Sequence, residues 1–590
     1  MRDVIIVGAG GGGAVVAKEL AAQGLDVLLL EGGPRSAHPE TDWTHFEIDQ
    51  SDAVQGTFRY GPADRSRSPW SREIVNPGVV WQVAGVGGST LHYFANCPRA
   101  LPGSFAGYSG ADAAAYDRPH EFPFSYRELL PYFEWVEETL PVQTAAMGHK
   151  EELFFNAAKA IGLPFQTSRI TTRDAFRPQE NAILQPGGTA GKTSDPRKLR
   201  YPQAQGCTFC GYCLQGCMEP LGSPRNLKAK RSADASYIPM ALTADAWSRG
   251  GKAITLVANA FVTAIETEIA APLRVRGVTW RDTVTGQVSS EDAHVVVLSA
   301  GAIETPRLWL NSQLPDPNGW VGRGLTDHAF DVVVGVLPFD TGFSAGPNSA
   351  ARADFPGRGC IQQIGAPPAT AAFTATMSDS GMAGLYDNGA PVPSLGADLV
   401  GRAAGPLLKQ IAGNMQRLIA ILCITDDDVE AENRVSLSPN FPPDEHGPLP
   451  LVAMHQRHRS ARTVANRDFL AGKAVEILRA AGSTFVLRMN WPPMMAHMHS
   501  TMRMGADPSN SIVDANSEAR FVRRLFIADN SALSNSVSGM NPTLTMQAIA
   551  TRTSEKIVQQ YFGGGGWVVN GSPVSSIDPT VTHAVVKAGL

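Results

Sequence analysis

Cysteine is scarce in this 590-residue chain: there are seven, and Cys97, Cys360 and Cys423 stand alone. That excludes a disulfide framework of the kind that holds small extracellular folds together. A strong charge of one sign is missing too, since 50 Lys and Arg oppose 55 Asp and Glu for a net charge of −5. Nothing in that balance suits a nucleic-acid or polyanion partner. Also absent are internal repeats and any run approaching the roughly 18 to 20 apolar residues needed to cross a bilayer. No secretory leader precedes the first predicted strand, which begins at Asp3-Val-Ile-Ile-Val7. A cytoplasmic location is the expectation, or a periplasmic one if the chain is exported with a signal-bearing partner. What remains, 43% hydrophobic and 18% charged, is ordinary globular composition. The length predicts two interleaved domains rather than one core.

The other four cysteines stand together. Cys207, Cys210, Cys213 and Cys217 make a C-x2-C-x2-C-x3-C run, the spacing with which bacterial ferredoxins wrap a cuboidal iron–sulfur cluster. Structural zinc normally uses two knuckles separated by a longer insert, and adjacent disulfides in so short a span would be strained. The run therefore predicts a cluster ahead of zinc, disulfides or free thiols. Either all four cysteines hold one 4Fe–4S cluster or three hold a 3Fe–4S cluster, because the fourth cysteine of such a run serves a second cluster in some ferredoxins.

The chain opens on a dinucleotide-binding pattern. Residues 4–7 read as a buried parallel strand. Gly8-Ala-Gly-Gly-Gly-Gly13 then supplies G-x-G-x-x-G, residues 14–23 read as a helix ended by Gly24, and residues 26–31 as the second strand. Gly8 makes the tight turn, Gly10 admits a pyrophosphate, Gly13 permits close helix–strand packing, and Glu31 is placed for a ribose hydroxyl. Segments further along the chain favour FAD over NAD. A second glycine-rich turn lies at Gly85-Val-Gly-Gly-Ser-Thr-Leu-His-Tyr93, with turn-like segments at 299–306 and 324–328. Late segments 503–507, 526–529 and Gly539-Met-Asn-Pro-Thr543 complete the set. A flavin fold handles electrons in pairs and a cluster passes them singly. Together they predict an enzyme that oxidises a substrate and sends its electrons outward.

In that order the motifs resemble the glucose–methanol–choline (GMC) oxidoreductase family over residues 1–560. The resemblance implies an α/β fold with a Rossmann-type FAD-binding domain from residues 1–100, 203–330 and 495–562. An interleaved α+β substrate domain from 101–202 and 331–494 would be built on an antiparallel sheet, with 563–590 a C-terminal extension behind a glycine hinge. Asn433-Arg-Val-Ser-Leu437 and residues 448–453 read as strands of that substrate sheet, and residues 179–200 and 366–394 as long loops lining the entrance. Gly8, Gly10, Gly13 and Glu31 look like the family's ADP-binding turn, and Gly87, Gly88 and Ser89 like the loop beside the isoalloxazine. Val262 looks like the backbone contact to adenine, and Ala300, Gly301 and Asp529 like the remaining FAD contacts. The cysteine run is most similar to the cluster-bearing branch, the gluconate and glucose dehydrogenases, whose flavin subunits partner with cytochromes. An electron-acceptor protein or small partner subunit is therefore implied.

Two positions depart from the family pattern. His92 stands where asparagine is usual, resembling pyranose 2-oxidase, whose histidine is covalently bonded to flavin; the other reading is a histidine packed near the ring. Ser500 stands where glycine is usual.

Oxidising a hydroxyl needs a base for the proton while hydride leaves the carbon, and histidine titrates in the right range. Counted back from Arg503-Met-Gly505, His497 falls at the family's catalytic position. Asn541 falls where a second histidine or an asparagine is found, with an amide suited to holding the substrate oxygen. The interval from Asp529 to Asn541 is one residue longer than usual. His499 is the competing base, since two residues along an extended segment lie on one side. The expectation is an FAD-dependent dehydrogenase acting on the CH–OH of a sugar, polyol or other alcohol, passing electrons through the cluster to an external acceptor. The alternative is an oxidase forming hydrogen peroxide, with the cluster structural; a redox-neutral lyase or a bare electron-transfer subunit is more remote. Cluster-bearing relatives favour a carbohydrate. Met494, Met495, Met498, Met502 and Met540 either suit an apolar alcohol or are core beneath the flavin.

Overall fold

The computed structural model describes residues 1–37, 73–75, 79–184, 206–372, 392–401, 405–454, 459–489 and 494–590. The predicted loops 179–200 and 366–394 lie largely outside the described residues. Strand Arg2–Val7 is apolar on both faces through Val4, Ile5 and Ile6, all fully buried, as a strand covered on both sides must be. It pairs in parallel with Val27–Leu30 and Val288–Leu298, which pair in turn with Thr255–Val257 and Leu525–Ile527. Ala260–Glu268 and Arg274–Asp282 continue the sheet antiparallel. Helix Gly11–Ala22 begins earlier than the sequence pattern predicts, directly off the glycine turn, and packs on helix Thr543–Tyr561. Residues 299–306 are not a turn but the start of helix Gly301–Asn311. Pro306 cannot donate to the carbonyl of Ala302; the hydroxyl of Thr501 donates to that oxygen instead, at 2.7 Å.

A second seven-stranded sheet runs in the order Leu399–Val400, Phe485–Arg488, Asp331–Val336, Leu418–Thr425, Gly359–Ile364, Ala351–Phe355, Ala175–Pro178. All its pairings are antiparallel except the first. Side chains alternate across a strand. Val333, Ile419, Ile421 and Cys423 are buried in one cluster with Leu470, Ala474 and Ile477 of helix Ala461–Ala480. Their neighbours Val332, Val334, Leu418, Ala420 and Leu422 face a cavity instead.

One sequence expectation shifts. Arg434–Leu437 and Pro450–Ala453 are strands, but they pair with each other and with Glu73–Val75 in a separate three-stranded sheet. Val435 and Val452 bury against Val80 and Ile303 rather than the large sheet. Helix Tyr126–Thr139, from the stretch assigned to the substrate domain, stands on helix Thr543–Tyr561 of the dinucleotide half. There Tyr132 donates to Glu555 at 2.5 Å and Arg552 to Glu128 at 2.6 Å. The C-terminal extension packs on its own chain: Val581 and Val585 bury against Met240, and Asn226 donates to the carbonyl of Ser576 at 3.0 Å. Among the described residues no helix is long and apolar enough to cross a membrane.

Candidate active site

One cavity of about 380 Å³ joins the two sheets. The carboxyl ends of four parallel strands open onto it, where open α/β sheets bind ligands. Arg2–Val7 delivers Gly8 and Gly10, Val27–Leu30 delivers Glu31, Val288–Leu298 delivers Ala300 and Gly301, and Leu525–Ile527 delivers Asp529. Val262, Gly88, Ser89, His92, His497 and Asn541 line the same cavity. Gly13 and Gly87 do not line it but shape it from behind. A Cβ on Gly13 would sit 1.9 Å from the carbonyl oxygen of Gly8, which is the close helix–strand packing expected of that glycine. Gly88 has φ +52, and a Cβ there would lie 2.7 Å from the Cα of Gly10, so the two glycine-rich turns meet backbone to backbone.

Both carboxylates are held by donors. Glu31 accepts from the backbone N–H groups of Ala9 and Gly33, each at 2.8 Å. Asp529 accepts from Gly301 N at 2.9 Å, the Thr305 hydroxyl at 2.7 Å and Ser531 N at 2.7 Å. Burial raises the pKa of each, and the hydrogen bonds oppose it.

At the other end, the Nε2 of His497 lies 3.4 Å from the Asn541 amide nitrogen. Asp327 positions the histidine segment: its Oδ1 accepts from Ala496 N at 3.0 Å and His497 N at 2.6 Å. Phe330 and His328 stand edge-on to the His497 ring at 5.0 and 5.1 Å between centroids. Burial first, then His328 and His92, push the His497 pKa well below the usual value, so the ring is neutral at neutral pH. Asn541 is oriented by a relay that sequence reasoning missed. Asn96 donates to Gln362 at 2.9 Å, and Gln362 donates to the Asn541 oxygen at 2.5 Å, turning the Asn541 amide nitrogen toward His497. Gln362 comes from a sheet strand some 180 residues upstream, and no local motif marks it.

His499 does not join this pair. Its ring stands edge-on to His328 at 5.2 Å, is fully buried, bonds Ser500 Oγ at 2.9 Å, and does not line the cavity. Ser500 has φ +71, the left-handed region in which glycine is at home. Of the predicted methionines, Met498 lines the cavity, whereas Met495, Met502 and Met540 are core. His92 is buried, stacked 6.4 Å from Trp81.

The four clustered cysteines form no disulfide: Cys207 is buried, Cys210 exposed, and Cys213 and Cys217 between. Among the described residues no three His, Cys, Asp or Glu side chains converge where a metal ion would sit, so neither the expected iron–sulfur cluster nor the zinc alternative gains support from the geometry. Burial, then the nearby thiols of Cys213 and Cys210, push the Cys207 pKa up, so the sulfurs lie within one another's field. The loop is seated on the cavity wall. Leu214 lines the cavity, and Lys230 ties Cys213 O (2.5 Å) to Leu91 O (2.6 Å) and Tyr93 O (3.2 Å), on either side of His92.

Two family models, both GMC oxidoreductase, match residues 3–330 and 430–550. The chain belongs to the GMC oxidoreductase family and is an FAD-dependent oxidoreductase. It is similar to 6'''-hydroxyparomomycin C oxidase of Streptomyces lividus, 26% identical over 94% of this chain and 91% of the relative. It is also similar to the fructose dehydrogenase large subunit of Gluconobacter japonicus, 25% identical over 95% of this chain and 98% of the relative. Among solved structures, pyridoxine 4-oxidase from Mesorbium loti has the same fold, with a TM-score of 0.55 at 17% identity, covering 96% of this chain and 100% of that one.

Proposed function

We propose that this enzyme oxidises the CH–OH group of a small alcohol to a carbonyl, with His497 as the base and Asn541 as the donor to the substrate oxygen. The observation that carries the reading is the facing pair itself. A neutral imidazole nitrogen and an amide nitrogen, 3.4 Å apart, open onto the cavity that the dinucleotide turn also enters. Bound along the glycine turns, Glu31, Val262 and Asp529, FAD supplies the acceptor for the hydride. His497 takes the hydroxyl proton at Nε2, the nitrogen on the cavity side. Asn541 donates to the oxygen as it gains alkoxide character, an interaction strongest in the transition state. Asp327 and Phe330 fix the base, and the apolar wall keeps water from competing for its proton.

The finer reading is a dehydrogenase with an external acceptor, in which Cys207, Cys210, Cys213 and Cys217 hold an iron–sulfur cluster, a one-electron carrier. Three observations support it: the grouped thiols, a loop reaching from the exposed Cys210 to the cavity-lining Leu214, and a relative that is a dehydrogenase subunit. A relative named as an oxidase favours the second reading, with oxygen as acceptor.

The test is anaerobic mixing with an alcohol, followed by admission of either oxygen or a dye acceptor. Flavin bleaching that is lost in His497→Ala supports the base. Turnover with the dye and little peroxide in air supports the dehydrogenase, stoichiometric peroxide the oxidase, and unchanged bleaching in His497→Ala refutes the mechanism.

A further inference from the structure

We infer that the hydroxyl oxidised here belongs to an apolar alcohol lying along the inner face of the second sheet, not to a sugar. The inference rests on the reading of this cavity as the alcohol-oxidising site and names its substrate class. Strand register fixes which side chains share that face. At the His497–Asn541 end the row is Arg177, Arg352, Gln362, Leu422 and Val332; Arg177 and Arg352 both donate to Asp354 and do not line the cavity. The Gln362 amide is already committed to Asn96 and Asn541. Two residues further on the row is Ile364, Ala420, Val334 and Leu487, all lining the cavity. Leu418 comes next on the central strand. From Leu422 to Leu418 the strand runs about 13 Å, and the side chains of these rows that line the cavity are all hydrocarbon.

The remaining wall agrees. Phe343, Met489 and Ile411 add apolar surface, and the hydroxyl of Thr370 accepts from Gln215 at 2.7 Å. Among the described residues, the charged side chains lining the cavity, Glu31, Glu304, Arg307 and Asp529, all stand on the dinucleotide half. A sugar laid on these rows would leave several hydroxyls unmatched, each lowering affinity about tenfold. An alkyl chain gains about fourfold for every methylene it buries there.

The holoenzyme is assayed with a dye acceptor on straight-chain primary alcohols of four to ten carbons beside glucose, sorbitol and glycerol. The expected result is a kcat/KM that climbs about fourfold per methylene through the early members. The best alkanol should exceed every polyol by about 100-fold, the effect of two unmatched hydroxyls. Ala420→Leu, which adds volume to the middle row, should move the optimum to shorter chains. A sugar or polyol preferred over every alkanol overturns the inference; loss of that sugar activity in His497→Ala would still leave the alcohol-oxidising reading standing. Unchanged turnover of the preferred class in His497→Ala fails that reading instead. Should neither class turn over, the flavin absorbance is titrated with 1-decanol and with sorbitol. Saturable perturbation by 1-decanol alone supports the apolar site, and any other result overturns it.

Discussion

The relay behind Asn541 makes a sharp prediction about Gln362. The Gln362 amide is fully buried and holds the Asn541 oxygen at 2.5 Å. With that bond in place the Asn541 amide nitrogen faces His497; with it gone, the amide can turn over and present its oxygen to the substrate instead. A neutral hydrogen bond stabilises by about 0.5–1.5 kcal/mol net, so the productive orientation is favoured roughly two- to tenfold. Gln362→Met keeps the volume and removes the donor. With the two orientations then equal, it should lower kcat/KM by up to about twofold, with rates normalised to bound flavin, because Asn96 also loses its acceptor and the fold weakens by about 1–3 kcal/mol. Asn541→Ala removes the donor to the oxygen altogether and should lower kcat by about 10²–10³. In the double variant Gln362→Met should cost nothing further, since there is no amide left to orient. Losses that multiply in the double variant would refute the relay, as would a Gln362→Met rate equal to wild type.

Three further outcomes are expected. Because burial and its histidine neighbours hold the His497 pKa well below 6.5, the acid limb of kcat/KM should lie well below that value. His328→Asn, which removes a neighbouring cation in acid, should move the limb upward, and a wild-type limb at or above 6.5 contradicts the assignment. His328 and His499 are buried and His497 is half-buried, and desolvation lowers the pKa of all three. Unfolded histidines therefore take protons first, and stability present above pH 6.5 is lost below it, at up to about 1.4 kcal/mol per pH unit for each. His499→Gln should flatten that acid slope in melting temperature against pH, and an unaltered slope would show the ring to be protonated in the fold. Finally, anaerobically purified protein should release iron and acid-labile sulfide, and Cys213→Ser should diminish both while the flavin bands and the bleaching by substrate persist. Iron-free protein with full activity would remove the cluster from the reading.

How much of this was legible in the sequence depended on where each signal is stored. The dinucleotide turn is local: strand, glycines, helix and acid succeed one another within about 30 residues, and the structure brings Gly8, Gly10 and Glu31 to one cavity. The sequence favours His497 over His499 by its count back from Arg503-Met-Gly505. The two residues share a segment and both rings stand edge-on to His328, yet only the fold shows which ring meets the cavity. Gln362 and Asn96 were invisible because they act across sheet register and long loops, and Asp327, inside the marked segment 324–328, gave no sign of its role for the same reason. The pairing of Arg434–Leu437 was misjudged for a similar reason, since a short strand says nothing about which sheet it joins. The helix at Gly301 was hidden by Pro306, which reads as a turn until Thr501 is seen to satisfy the freed carbonyl.

The two sheets divide the work according to their strand types. A parallel sheet offers a ligand the ends of its strands, so its contribution is backbone N–H groups, tight glycines and a few acids. Those positions are fixed by turn geometry, and little about them can change without losing the nucleotide. An antiparallel sheet offers its face, one side chain in two, with the alternate residues buried under helix Ala461–Ala480. Ala420 and Leu422 can therefore vary without disturbing Ile419 and Ile421 behind them. In this chain the part of that face that lines the cavity carries hydrocarbon up to the row of Gln362, where Asn541 and His497 wait. Chemistry is set at one end of that row and substrate size along it. Substitutions at Val334 or Ala420 should accordingly change which alcohol is preferred, while the acid limb set by His497 stays where it is.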